Sequence, residues 1–204
     1  MKKIYFIRHG QTDYNKKMII QGSGIDSDLN HTGRTQADQF YLAYQDIPFE
    51  VVLTSKLKRS IQTVHQFIDK PLPHESFKEI NEIGWGVHEG VGGDPKLRDT
   101  YKWLINEWST GNLDARVPEG ESAAELINRC NRFNDHLKTR TEETILVCTH
   151  GRTLRCLVTL LKGETMDKME VYKHQNTGLY LFNYEDNSFS VEVENDSEHL
   201  KDAN

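Results

Sequence analysis

The chain has 204 residues, with 25 lysines and arginines against 31 aspartates and glutamates, a formal net charge of −6 and 36% hydrophobic residues. That length can build the core of one domain without staples, no apolar run approaches the roughly 18 residues of a membrane span, and an acidic balance without a basic run speaks against a nucleic-acid binder. The N-terminal MKKIYFIRHG has too short an apolar run for a signal peptide, so the expected compartment is the cytoplasm, where Cys130, Cys148 and Cys156 would stay unpaired.

In chain order, Ile4-Tyr5-Phe6-Ile7 is the first of three short β-branched or aromatic runs without alternation, the pattern of a strand buried on both faces. Residues 32–45 place Ala37, Phe40, Tyr41 and Tyr44 at helical spacing, and Val51-Val52-Leu53 is the second strand run. Residues 94–111 read as a helix capped by Asp94, with Pro95 in its first turn, Gly111 past its end and an apolar face of Leu97, Tyr101, Leu104, Ile105 and Trp108. Residues 122–138 repeat Leu126, Ile127, Cys130, Phe133 and Leu137 behind a capping box of Ser122 and Glu125. Ile145-Leu146-Val147-Cys148 is the third strand run, followed by a helix over 153–161. The tail 178–193 alternates and predicts a hairpin at a sheet edge, while the polar residues after 194 are expected to fray. Strands alternating with helices predict an α/β fold: a three-layer α/β/α sandwich with a mainly parallel central sheet and one antiparallel edge. One domain over 1–194 is expected, with a small lid-like segment at 86–120 and a polar tail at 195–204.

In such sheets ligands bind at the carboxyl ends of the strands. There the first run ends in Arg8-His9-Gly10 and the third in Thr149-His150-Gly151, while the second leads through Thr54-Ser55 into a helix start carrying Lys56, Lys58 and Arg59. A single histidine at a strand end is ordinarily structural. Two His-Gly strand ends accompanied by arginines point instead to the chemistry of an anion.

The run Ile7-Arg8-His9-Gly10-Gln11-Thr12, with Asn15 three positions on, resembles the signature of the histidine phosphatase superfamily, which includes cofactor-dependent phosphoglycerate mutases and the phosphatase domain of fructose-2,6-bisphosphatase. The resemblance continues in family order through Leu29-Asn30-His31-Thr32-Gly33-Arg34-Thr35-Gln36-Ala37, Ser55–Thr63 with its arginine at Arg59, the loop from Glu82 to Gly90, Gly120-Glu121-Ser122 and Thr149-His150-Gly151. It implies a phosphoglycerate mutase-like fold and covalent transfer of a phosphoryl group to a histidine, with no cofactor and no metal. By motif position His9 would be the nucleophile, attacking as a neutral imidazole whose other nitrogen is held by a hydrogen bond. Arg8 and Arg59 would clamp the phosphoryl oxygens with paired donors, and His150, protonated against the phosphate, would add a third cation. Glu82 would protonate the leaving oxygen and then activate water, with Glu89 as its structural neighbour. On the loop after the first strand Asn15, Gln21 and Gly22, and after the third strand Gly151 and Arg152, are the expected substrate contacts. Arg34 and Arg155 read as helix-surface residues.

Other motifs carry less. Asp26-Ser27-Asp28-Leu29-Asn30 starts like a calcium loop, but His31 replaces the required glycine. No phosphate-cradling nucleotide fingerprint is present, and Cys148-Thr149-His150 lacks a second ligand pair at zinc spacing. His31, His65, His74, His88, His136, His174 and His199 lie in polar contexts and are read as mostly solvated, and Cys148 as core filler. The stretch from Gly86 to Gly120 looks shorter than the mutase branch's insertion and lacks its clustered arginines, so hydrolysis of a small phosphate monoester is favoured over mutase-type transfer. A non-catalytic phospho-ligand binding module is the alternative from another class, and a second copy of the chain is an admissible partner. Specificity is assigned by position to Met18, Ile19, Ile20, Trp85, Val87 and the 92–108 segment.

Overall fold

The three apolar runs form the middle of one sheet because layers on both faces supply partners for their side chains. The structure, a computed structural model, describes residues 1–70 and 72–201. Its strands are β1 (Lys2–Arg8), β2 (Val51–Ser55), β3 (His74–Phe77), β4 (Thr144–Thr149), β5 (Leu179–Glu185) and β6 (Ser188–Asp196), in the spatial order β3-β2-β4-β1-β5-β6. The first four in sequence run parallel, while β5 is antiparallel to β1 and β6 to β5. The helices are α1 (Asp13–Lys16), α2 (His31–Tyr44), α3 (Lys58–Thr63), α4 (His65–Ile68), α5 (Pro95–Ser109), α6 (Ala123–Thr139) and α7 (Gly151–Leu161).

The two-residue period of a strand separates the core into two layers. Ile4, Phe6, Leu53 and Val147 pack with Leu126, Cys130 and Phe133 of α6, Leu154 and Leu157 of α7, and Leu104 and Trp108 of α5. Tyr5, Ile7, Val52 and Leu146 face the other way, onto Phe40 of α2 and Phe67 of α4. The α/β/α sandwich expected from the sequence is therefore present.

Local signals hold at the helix ends. Ser122 and Glu125 form the reciprocal capping box of α6, and the Asp94 side chain accepts from the Lys96 amide at the start of α5. The β5–β6 turn is Asp186-Asn187, both in the left-handed region (φ 49° and 62°) that a two-residue hairpin turn demands. Two expectations change. The helix after β4 begins at Gly151 rather than 153. The chain after 194 is structured as far as Leu200, because Asp196 still pairs with Leu179 and the turn Glu198–Leu200 brings the His199 ring edge-on to Phe40 at 5.4 Å.

Candidate active site

Parallel pairing of β1 with β4 puts Arg8 opposite Thr149, so the residues just beyond both strands, His9 and His150, emerge side by side with ring centroids 5.0 Å apart. Arg59, in the first turn of α3 after β2, is fully buried against the same strand ends. Gly10 is a glycine for a steric reason: a Cβ there would lie 2.5 Å from the Gly33 carbonyl oxygen of α2.

His9 is 2% exposed. Its Nδ1 stands 2.7 Å from the Gly10 carbonyl oxygen, which can only accept, so the hydrogen sits on Nδ1 and the lone pair on Nε2. Burial, then the Arg59 and Arg8 charges, holds its pKa well below the usual imidazole value. The ring is therefore a neutral nucleophile with a defined free nitrogen.

His150 is held from both ring nitrogens. Its Nδ1 accepts from Arg59 Nε at 3.2 Å, so Nε2 carries the hydrogen and donates to Ser55 Oγ at 2.7 Å. Burial, then the Arg59 charge, pushes its pKa well below the ordinary value. In this arrangement it is a neutral ring that orients Arg59. Arg59 also donates to the Ile25 carbonyl (2.6 Å) and the Gly22 carbonyl (3.2 Å). Arg8 donates through Nη1 to the His174 carbonyl (2.8 Å) and His174 Nδ1 (3.2 Å), and its buried Nε has no partner among the described residues. Burial lowers the Arg8 pKa to about 10 and holds His174 at about 3. Every partner named for the two guanidiniums is neutral, so neither charge is cancelled by a carboxylate; Arg8 lines the catalytic cavity, while Arg59 is fully buried behind it with all three of its nitrogens bonded.

Glu82 is 8% exposed and sits against the N-terminus of α7. One carboxylate oxygen accepts from the Ile83 amide (3.0 Å), the Thr153 amide (3.1 Å) and the Thr153 hydroxyl (3.2 Å), and the other from the Arg152 amide (3.1 Å). Its loop is pinned by Arg129, which pairs with Glu121 through Nε at 2.6 Å and donates to the Glu79 and Asn81 carbonyls, while Glu121 accepts from the Gly84 amide. Breaking this buried pair by Glu121→Leu is expected to cost about 3–5 kcal/mol of stability in urea unfolding, because Arg129 is left charged and unpaired.

His9, Arg8 and Glu82 open onto a cavity of about 170 Å³ with Asn15 and Gln21 on one side and Ile19, Ile20, Trp85 and Tyr101 as an apolar wall. A larger open cleft of about 660 Å³ adjoins the Glu82 loop, but its Arg116 and Arg129 are paired with its own Glu125 and Glu121, and neither a histidine nor a cysteine is among its lining residues. Chemistry, not size, selects the smaller cavity.

The remaining expected contacts divide. Asn15 and Gln21 reach the cavity, though Asn15 Oδ1 also accepts from the Thr12 amide and Gln21 Nε2 donates to Thr12 Oγ1. Gly22 serves through its carbonyl, which holds Arg59, and through its small size, since a Cβ would lie 2.1 Å from Glu89 Oε1. Glu89 accepts from the Trp85 amide and so braces the Glu82 loop. Gly151 is the first residue of α7, beside His174 and Arg8. Arg152 does not line the cavity: its guanidinium is caged 5.6–5.9 Å from the rings of Tyr101, Trp108 and Trp85, and it bonds Glu170 and the Tyr101 hydroxyl. Arg155 is not a surface residue either, because it is mostly buried and pairs with the same Glu170 at 2.6 Å. Of the seven histidines read as solvated, only His31 and His65 are exposed, and His88 is buried.

Sequence reasoning missed the loop that approaches from residues 174–177. His174 holds Arg8, Asn176 Nδ2 donates to the His9 carbonyl at 2.8 Å, and the Thr177 amide donates to the Arg8 carbonyl. No local pattern in this stretch announces that role. Ser55 and Thr63, whose hydroxyl accepts from the Gly10 amide, were within reach of the motif at the end of β2.

The buried rings set a pH dependence. His9, His150 and His174 all have folded pKa values below that of an unfolded histidine, near 6.5. Below that pH the unfolded chain binds protons that the folded chain refuses. Stability is thus complete above about pH 6.5 and falls on acidification, by up to about 1.4 kcal/mol per pH unit for each ring until its folded pKa is reached. Thermal melts in phosphate-free buffer are expected to show Tm lower by about 10 °C or more at pH 5 than at pH 7.5. An unchanged Tm would mean that these rings are not buried neutral.

Comparison with known proteins shows the family. The family model "Histidine phosphatase superfamily (branch 1)" matches residues 4–197. The protein named "Putative phosphoserine phosphatase 2" of Hydrogenobacter thermophilus is 27% identical over 180 residues, 88% of either chain. The "Probable phosphoglycerate mutase GpmB" of Shigella dysenteriae is 29% identical over 170 residues, 80% of this chain and 76% of the relative. The crystal structure of the alpha-ribazole phosphatase from Shigella flexneri superposes with a TM-score of 0.85 over 95% of this chain and 96% of the other, at 24% identity, a likeness of fold.

Proposed function

This chain belongs to the histidine phosphatase superfamily, and from that premise we propose that it hydrolyses a small phosphate monoester through a phosphohistidine formed on His9 Nε2. The observation that carries the reading is the His9 tautomer: Nδ1–H bound to the Gly10 carbonyl, Nε2 free, in one cavity with Arg8 and Glu82. Nε2 attacks phosphorus, the bond to the ester oxygen breaks, and that oxygen takes the proton of a protonated Glu82 as the alcohol leaves. Water then attacks phosphorus, gives its proton to the Glu82 carboxylate, and the phosphorus–nitrogen bond breaks to release orthophosphate and restore His9. Arg8 and Arg59 neutralise the charge on the phosphoryl oxygens in both steps. His150 serves by fixing the Arg59 fork.

The same first step supports mutase-type transfer, in which the phosphoryl group returns to a bound alcohol instead of water. Two measurements separate the readings. Acid-labile phosphate trapped on the protein, and absent from His9→Ala, is expected in either case. Release of free phosphate faster than interconversion of 2- and 3-phosphoglycerate marks the hydrolase, and the reverse order overturns it. A binding module without catalysis would show neither. Three buried, unpaired cysteines suit a reducing compartment, and we place the reaction in the cytoplasm.

A further inference from the structure

The catalytic cavity, about 170 Å³, is smaller than the roughly 300–1,000 Å³ of a typical ligand site, so a substrate that fills it with its phosphoryl group must extend outward. One groove continues it directly. Its volume is about 340 Å³, and Ile20 and Tyr101 line both spaces.

The groove is built to offer carbon. Ile20 pairs with the loop opposite through two backbone hydrogen bonds, its amide to the Val91 carbonyl at 3.2 Å and the Gly90 amide to its carbonyl at 2.9 Å. These bonds satisfy both backbone polar groups of Ile20 and leave its side chain to line the groove. Gly92 lets the two segments close, since a Cβ there would lie 2.7 Å from Ile19 Cγ1. Leu97 of α5 and Met18 supply apolar walls. Met18 is 85% exposed and holds a left-handed backbone (φ 54°), an uncommon conformation for a side chain of its size. Methionine's flexible thioether suits it to cover ligands of varied shape.

Charge points the same way. Among the groove's lining residues the cation is Arg98, and Asp94 stands one helical turn before it on the same rim. Arg152, against the ring of Tyr101, is committed to Glu170. Arg8 and Arg59 belong to the phosphoryl group. A second anionic group on the substrate therefore meets no net positive charge, whereas a hydrocarbon gains from leaving water.

We propose that the groove seats the leaving alcohol, and that this chain selects phosphate monoesters of extended apolar alcohols, alkyl or aromatic, over those of small carboxylated alcohols. The proposal rests on the phosphatase reading above and names the substrate class of that site.

Alkyl phosphates test it without changing the chemistry, because ethyl and hexyl phosphate break the same kind of bond with leaving oxygens of nearly equal basicity. A fully buried methylene is worth about fourfold in affinity, so a partly open groove predicts kcat/KM for hexyl phosphate about 10- to 100-fold above that for ethyl phosphate. Phosphoserine and 3-phosphoglycerate are expected at least about 10-fold below hexyl phosphate. Met18→Asp, at an exposed position, and Leu97→Asp, at a half-buried one, are expected to cut the hexyl-to-ethyl ratio at least about fivefold. His9-dependent hydrolysis with no gain from chain length, or with phosphoserine preferred, overturns the proposal and leaves the phosphatase reading in place. Absence of His9-dependent hydrolysis for every ester overturns both.

Discussion

Replacing His9 by alanine is expected to lower kcat roughly 10⁴- to 10⁶-fold on any monoester, the scale seen when a covalent nucleophile is removed. No neighbour can take over. His150 is 5.0 Å away by ring centroid, but its Nδ1 accepts from Arg59 and its Nε2 carries the hydrogen bound to Ser55. Cys148, at the end of the same strand, is fully buried and its thiol pKa is pushed far up by burial, so it supplies no thiolate. Orthophosphate should still bind the variant, because Arg8 and Arg59 are held by groups other than His9: the His174 carbonyl and ring, and the Ile25 and Gly22 carbonyls with His150. Calorimetric titration with phosphate alongside steady-state kinetics checks both halves. Less than about a 100-fold loss of kcat in a folded variant would remove His9 as nucleophile.

Glu82→Gln is the second large effect, and it acts on two levels. The amide cannot donate a proton to a leaving alkoxide or accept one from water, so kcat on an alkyl phosphate is expected to fall about 10²- to 10⁴-fold. An aryl phosphate, whose leaving group needs little help, should lose less in a single-turnover measurement of the first step. The fold is affected as well. Both Glu82 oxygens accept from backbone amides, so an NH2 group in either place confronts an N–H and leaves it unbonded at the start of α7. That is expected to cost about 1–3 kcal/mol in denaturant unfolding. A variant that unfolds more readily yet turns over alkyl phosphates at the normal rate would make Glu82 a helix cap and nothing more.

The sequence and the structure agree where a feature depends on neighbours in the chain. Buried strands at Ile4–Ile7 and Ile145–Cys148 were legible because a strand covered on both faces has no need to alternate. Ser122 and Glu125 were legible because a capping box spans three residues. His9, Arg8, Arg59, Glu82 and His150 could be marked as a set because the motifs that carry them stand in family order. Their roles were only partly legible. The motif marks His150 as a residue near phosphate but not that Arg59 donates to its ring across 91 residues. Arg152 looked like an added substrate cation, and an aromatic cage with Glu170 draws it out of the cavity instead.

By its own pattern, then, the sequence determined the layered sheet, the strand ends at which chemistry collects, and which residue types gather there. Tertiary structure alone decided their protonation and aim: the free Nε2 of His9, the neutral His150, the Arg8 clamp by His174 from 166 residues away, and the helix start that Glu82 reaches 70 residues on. The division has a physical cause. Burial and hydrogen bonding set a group's charge state and direction, and both depend on partners that sequence distance does not restrict, whereas period, caps and turns are settled within a few residues of backbone.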